Sequence, residues 1–487
     1  MPTAMRWPAL PKWSSRRWGE AAMLNAAILA ELHDLLGDAR VFGDAETCAL
    51  YASDETPKSC LPDAVLFPAS HADVVAIVQL ANRHRLALVA RGAGSGNVGG
   101  AMPVVGSLVV SFECMKRIVE FDPANRLMVV EPGVVTDDID ALAGTVGLMY
   151  APDPGSGAYC RIGGNLAMNA AGPRCVKYGA TRDHVLGLRA VTGDGREIRV
   201  GGRTTKYATA YDLTRLLVGS EGTLALITEA TLKLIPAPES VATLRVCYAS
   251  NAAACAAVSR IMAQPVVPSA LEFMDRRAID AIREYGAAEG LPTGTQAVLM
   301  VEADGVAADV PRQIAALEHA LVGDGLLEIQ SGFTAEAIAA LWIARKSLSH
   351  AVKKIAPLKI NEDVVVPVAR LANLVNAIDA LGLHHGVPIV SFGHAGNGNL
   401  HVNLMVHADD ADEMTRARNC RDALIEAVIG LGGSLSGEHG IGSEKRHYVG
   451  RELDAATLAM MRDVKRLFDP LGLLNPGKKL PDEQAAR

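Results

Sequence analysis

Five of the nine residues from Gly92 to Gly100 are glycine, and they follow directly on the apolar run Leu86–Ala90. A backbone without Cβ atoms reaches φ > 0 without penalty and can lie flat against a ligand. Its exposed amides can form a nest for phosphate. The loop has no Gly-Lys-Ser/Thr, so it is not a P-loop, and its G-x-G-x-G spacing with no downstream ribose acid is not that of an NAD-binding Rossmann unit. Two further blocks share its character: Ala151–Gly157 with Ile162–Gly172, and Val218–Glu229. Within the second, Asn165 and Asn169 share one face if the segment is helical. One such block reads equally well as a turn. Three in one stretch point to a long dinucleotide.

The chain around them has 487 residues, enough for two or more domains. Hydrophobic residues at 49% and charged residues at 21% are the balance of a folded globular protein that needs no disulfide staples. Residues 22–36 read as an amphipathic helix ending at Gly37. From Ala64 to Pro236, short β-branched runs alternate with glycine clusters and helix-like pieces (Ala72–His84, Asp137–Val146), as in a mixed α+β or α/β domain. Two prolines in Ile235-Pro-Ala-Pro mark a boundary. Strands and helices then alternate through Ala242–Tyr248, Ala252–Ala263, Ala270–Met274, Arg276–Tyr285, Ala297–Ala303 and Val310–Leu321, the rhythm of a second domain on an antiparallel sheet.

Net charge −7 leaves no basic field for nucleic acid. The eight cysteines form no C-x-x-C pair, so reduced thiols and a cytoplasmic location are expected. No run reaches the ~18–20 apolar residues of a membrane span, so any membrane contact is expected to be peripheral, at the inner membrane. Ser15-Arg16-Arg17-Trp18 has the look of a twin-arginine export signal, but no small-residue cleavage site precedes the first helix. Residues 1–24 are read as a basic tail.

Seven of the 13 histidines fall between His384 and His447. The dense part, Phe392-Gly-His-Ala-Gly-Asn-Gly-Asn-Leu-His-Val-Asn-Leu-Met405, reads as two strands joined by a turn. Period 2 places His401, Asn403 and Met405 on one face, and His394 on the opposite shoulder can converge with His401. Ser436-Gly-Glu-His-Gly-Ile-Gly442 sets Glu438 beside His439. Two neutral imidazoles and a carboxylate form a common Zn²⁺ or Mn²⁺ ligand set; singly, each histidine reads as a satisfied turn residue.

The order Arg91-Gly-Ala-Gly-Ser-Gly, Pro152-Asp-Pro-Gly, Ile162-Gly-Gly-Asn and Gly219-Ser-Glu-Gly resembles the FAD-binding domain of the vanillyl-alcohol oxidase / p-cresol methylhydroxylase (PCMH) superfamily. The histidine motifs narrow the resemblance to the FAD-linked 2-hydroxyacid dehydrogenases, over about residues 40 to 480. The resemblance implies an α+β fold: a PCMH-type FAD-binding domain over residues 25–237, then a ferredoxin-like antiparallel-sheet cap domain over 238–482, whose tail returns to the flavin from about residue 465. It implies that Arg91, Gly92, Ala93, Gly94, Ser95, Gly96 and Asn97 cradle the FAD pyrophosphate. Pro152, Gly155, Ser156, Gly163, Gly164 and Asn165 would line the ring and ribityl region. Asn169, Gly172, Gly179, Glu221, Gly222, Ile227 and Asn475 would complete the pocket. No histidine or cysteine stands at the covalent positions, so FAD is expected to be non-covalent. Ala171 and Arg161 depart from the family's usual small residues and are expected to reshape the pocket slightly.

By the same resemblance His394, His401 and Glu438 hold a divalent metal, Zn²⁺ or Mn²⁺. His439 takes the substrate hydroxyl proton, a task suited to imidazole. Arg345 binds the substrate carboxylate with its guanidinium fork, and Lys359 and Asn403 complete the catalytic group. The expected function is oxidation of a D-2-hydroxyacid, D-lactate first, with hydride passing to FAD and electrons on to a cytochrome, quinone or electron-transfer flavoprotein rather than NAD. The alternatives are a glycolate oxidase flavin subunit that needs partner subunits, a D-2-hydroxyglutarate dehydrogenase, and a non-redox transferase on the same fold, against which the intact histidine motifs argue. A homodimer is compatible with the sequence.

Overall fold

The computed structural model describes residues 24–482; the Arg16-Arg17 pair lies outside them. The first helix runs Ala26–Leu36, capped by the Asn25 side chain and closed at Gly37. Beyond it lies a four-stranded sheet ordered Val41–Phe42, Ala64–Leu66, Ser107–Ser111, Ala87–Arg91. Its last three strands are parallel, which requires a crossover, and the helix His71–His84 supplies it. Ser70 caps that helix, and Val74, Ile77, Val78 and Ala81 form its buried stripe. The glycine loop leaves the end of Ala87–Arg91.

A five-stranded antiparallel sheet follows, ordered Ile118–Asp122, Leu127–Val130, Ala225–Lys233, Val185–Thr192, Glu197–Gly201. Its two outer strands lack the apolar run that marks the central ones, and sequence pattern did not anticipate them.

The third sheet has seven strands in the order Leu326–Gly332, Ser240–Tyr248, Ala297–Gly305, Ala270–Met274, Ile389–Gly393, Asn399–Val406, Leu358–Val365. Every pairing is antiparallel. Alternation splits its residues between two cores. Leu244, Val246, Leu299, Val301, Leu400 and Val402 pack under helices Asn251–Ala263, Val310–Leu321, Leu371–His385 and Ala411–Gly430. Met274, Val298, Met300 and Met405 pack under helices Arg276–Tyr285 and Ala335–Ala351. That second face turns polar toward the first domain. The register pairs Lys359 with Met405, Asn361 with Asn403 and Asp363 with His401, so one face carries all of these side chains together with Glu272.

Several connections fix the domains to each other, among them these two. Tyr178 donates to both carboxylate oxygens of Asp304 at 2.9 Å, and Lys177 pairs with the same carboxylate. After the helix Ala455–Phe468 the chain returns to the first sheet, where Leu474 bridges Leu88 in parallel and the Asn475 amide donates to the Leu88 carbonyl at 2.7 Å. All eight cysteines are unpaired. Among the described residues no helix is long and apolar enough to cross a membrane.

Candidate active site

A cavity of about 1050 Å³ separates the glycine-loop wall from the polar face of the seven-stranded sheet. On the first wall stand Arg91 to Asn97, Gly155, Ser156, Gly163, Gly164, Asn165, Glu221, Gly222, Ile227 and Asn475. Gly94 sits at φ +72°, where a Cβ would collide with the Arg91 guanidinium. That guanidinium lies against the loop at Gly94, where it donates to the Ser53 carbonyl at 2.6 Å and sits over the Tyr51 ring. Among the described residues, no backbone or side-chain acceptor takes the amides of Ala93 to Asn97. Arg161 lines the same wall with a buried, unpartnered Nε. Free amides, a half-buried cation and a cavity of this size fit a bound dinucleotide.

Pro152, Asn169, Gly172 and Gly179 are not part of the cavity wall. The helix carrying Asn165 stops at Met168, and Asn169 is its left-handed cap at φ +55°. The two asparagines therefore do not share a helix face, contrary to the spacing argument. Asn165 donates to Thr136 at 2.6 Å, whereas Asn169 accepts the Arg182 amide. Gly179 closes a four-residue helix.

The opposite wall presents His394, His401, Glu438, His439, Arg345, Lys359 and Asn361. Glu438 Oε1 lies 3.2 Å from His394 Nε2 and 3.5 Å from His401 Nε2. Ligand atoms about 2.1 Å from a tetrahedral ion stand roughly 3.4 Å apart, so the donor set fits a divalent metal. Burial would lower the pKa of His394, but the carboxylates of Glu272 and Glu438 hold it well above the usual imidazole range. Burial, with His439 and His394 nearby, pulls His401 down to about 3, which keeps it a neutral donor. His439 stacks on His401 with ring centroids 5.1 Å apart.

Asp363, fully buried, organises this corner. Its Oδ2 accepts the amides of Glu438 and His439 and the Ser436 hydroxyl, each at 2.8 Å. Burial opposes its charge, yet His439 and Lys445 hold the carboxyl far below the usual range. Asn403 does not reach the cavity: it accepts from Asn361 at 2.7 Å, and Asn361 faces the cavity in its place.

Sequence reasoning missed Glu272, Asn361, Asp363 and the cavity-lining residues Lys346, His350 and Lys353. The one available signal for Glu272 was a lone charge inside Ala-Leu-Glu-Phe-Met. Its buried carboxylate accepts from Arg345 and faces His394. Burial would raise its pKa, but His394 and Arg345 bring it down to about 2.

A flavoenzyme fold with a histidine–carboxylate centre across from a dinucleotide wall defines the class, and comparison with known proteins agrees. Residues 62–201 match the FAD binding domain model, and residues 237–479 match the FAD linked oxidases, C-terminal domain. The chain is similar to the glycolate oxidase subunit GlcD of Bacillus subtilis, 39% identical over 90% of this chain and 93% of that one. It is 33% identical to a D-lactate dehydrogenase of Anaerostipes hadrus (86% and 89% covered). It is also 33% identical to a D-2-hydroxyglutarate dehydrogenase of Stutzerimonas stutzeri (94% and 99% covered). Among solved structures, p-cresol methylhydroxylase with substrate bound shares the fold, with TM-score 0.78, 16% identity, and 94% and 97% covered. The chain belongs to the FAD-linked oxidase family and is an FAD-dependent oxidoreductase with a PCMH-type fold.

Proposed function

We propose that the protein oxidises a short 2-hydroxyacid, D-lactate or glycolate, to the 2-oxoacid. The carrying observation is that Arg345, the His394–His401–Glu438 group and His439 face the same cavity as the glycine loop. Arg345 anchors the carboxylate. His439 takes the hydroxyl proton on its imidazole. A divalent ion held by His394, His401 and Glu438 would polarise the hydroxyl. The glycine-loop wall would hold FAD, which when bound would supply the hydride acceptor for the carbinol carbon. The two substrates differ by one methyl group, and relatives of both names support the reading; the glycolate oxidase subunit stands at the higher identity. That relative is named as a subunit, which supports the need for partner proteins and an acceptor such as a cytochrome, quinone or electron-transfer flavoprotein.

A second reading, a dicarboxylic 2-hydroxyacid such as D-2-hydroxyglutarate, draws on Lys346, His350, Lys353 and Lys359, which line the same cavity. Anaerobic mixing with glycolate, D-lactate and D-2-hydroxyglutarate separates the two. Fastest bleaching of the flavin by a monocarboxylate supports the first, and fastest bleaching by the dicarboxylate the second. No bleaching by any 2-hydroxyacid overturns both.

A further inference from the structure

Glu272 lies in the middle of the strand Ala270–Met274, entirely shielded from solvent, with Leu271 and Phe273 in the core on either side. A carboxylate there persists only if charged or hydrogen-bonding partners hold it. It has two. Oε2 accepts from Arg345 Nε at 3.1 Å and Nη2 at 2.8 Å, and Oε1 lies 2.5 Å from His394 Nδ1. One rigid group thus joins the residue read as the anchor of the substrate carboxylate to a residue read as part of the hydroxyl-binding centre.

Each contact also sets a direction. The bond from Nε and Nη2 occupies the inner edge of the guanidinium, so the terminal Nη1–Nη2 fork is left for a second carboxylate. The Phe392 ring lies 4.9 Å from the guanidinium carbon and limits its tilt. With Nδ1 engaged by Glu272, His394 presents Nε2 to Glu438 and the cavity. The separation of fork and Nε2 is therefore set through Glu272, within a strand held by its neighbours on both sides.

We propose that Glu272 is a positioning residue that selects 2-hydroxyacids over 3-hydroxyacids. In the former, hydroxyl and carboxylate sit on adjacent carbons. In the latter they are one C–C bond further apart, about 1.5 Å. A site with a fixed span between its two anchors accepts the first and misplaces the second. The inference rests on the reading of Arg345 and His394 given above.

The test compares D-2-hydroxybutyrate with D-3-hydroxybutyrate, isomers that differ only in the hydroxyl position, in full-length flavin-loaded protein. Wild type is expected to favour the 2-isomer in kcat/KM by at least a hundredfold. Glu272→Gln cannot accept from both neighbours; it is expected to raise KM for the 2-isomer at least tenfold, lower kcat less, and shrink the isomer ratio at least tenfold. Glu272→Asp keeps the charge but draws it back by one methylene, and is expected to shrink the ratio at least threefold. If Gln fails to retain flavin, the Asp variant decides. A ratio unchanged in the variants that retain flavin overturns the proposal, as does an equal loss for both isomers. Failure of wild type to oxidise the 2-isomer overturns the reading of the site itself, and the role of Glu272 falls with it.

Discussion

The amide of Gly442 donates to Glu221 Oε2 at 2.7 Å, tying the loop that follows His439 to the flavin wall. Ile441 donates to the other oxygen at 2.9 Å. Glu221 itself sits at φ +57°, and Lys479 lies 3.2 Å from its Oε1. Gly440 sits at φ +85°, a backbone conformation that L side chains rarely adopt. Glu221 thus helps hold the loop of His439, the proposed base, in register with the opposite wall. Glu221→Ala should leave both amides without acceptors, at roughly 1–3 kcal/mol each. Thermal unfolding should show the loss, and substrate-driven flavin reduction should slow more than flavin binding weakens. An unchanged reduction rate would show that the loop holds its place without Glu221.

His439→Asn should lower turnover by about 10²–10⁴-fold, the usual worth of a positioned general base. Its flavin spectrum and any metal content should match those of wild type, because the wall residues and the three side chains proposed to hold a metal are untouched. Stopped-flow reduction together with elemental analysis checks both halves.

His394→Ala or Glu438→Gln should abolish most activity while the flavin stays bound, and chelation of wild type should do the same. Zn²⁺ or Mn²⁺ should restore the chelated enzyme but not the variants. Active enzyme with less than a trace of metal per flavin would contradict the assignment, and the two histidines would then hydrogen-bond the substrate directly.

Arg345→Lys keeps the charge and loses the planar fork. KM for the hydroxyacid should rise tenfold or more, with a smaller change in kcat, measured by dye reduction across a substrate series. A change in kcat alone would place Arg345 outside carboxylate binding.

Asp275 caps the helix Arg276–Tyr285, accepting the amides of Ala278 and Ser391, each at 2.7 Å. Burial pushes its carboxyl up to about 7, against the pull of those amides. An unfolded aspartate titrates near 3.9. Between about pH 4 and 7 the folded protein therefore holds a proton that the unfolded chain has released, so stability falls as pH rises through that window and then levels. Asparagine cannot ionise. Asp275→Asn should cost more stability relative to wild type at pH 5 than at pH 8, with the gap narrowing by roughly 1 kcal/mol or more. Urea unfolding at the two pH values reads this directly, and a constant gap would refute it.

What could be read from the chain follows a physical division. His394, His401 and Glu438 were legible because turns rich in glycine advertise close backbone approach, and because period 2 in a strand is strict. Asn169 was misplaced because nothing local shows that the helix ends at Met168. Glu272 was hidden because its strand reads as core, and its partners lie 73 and 122 residues further along the chain. The order of the seven strands is non-sequential, so which polar side chains gather on one face depends on pairings that no local pattern reveals. Arg161 looked like a departure from the usual pocket, yet it lines the cavity as a half-buried cation whose buried Nε is unpartnered.

The pairing of Leu474 with Leu88 also bears on how the protein is made. The Asn475 side chain donates to the carbonyls of Gly100 and Glu221, joining two of the glycine blocks. Those blocks leave the ribosome hundreds of residues before the segment that binds them together. The amino-terminal half can collapse early around its own sheets, but its flavin wall stays unfinished until the segment carrying Asn475 has been made. Cofactor capture then waits on that segment, and a nascent chain stalled in the cap domain would hold an open cleft rather than a loaded enzyme.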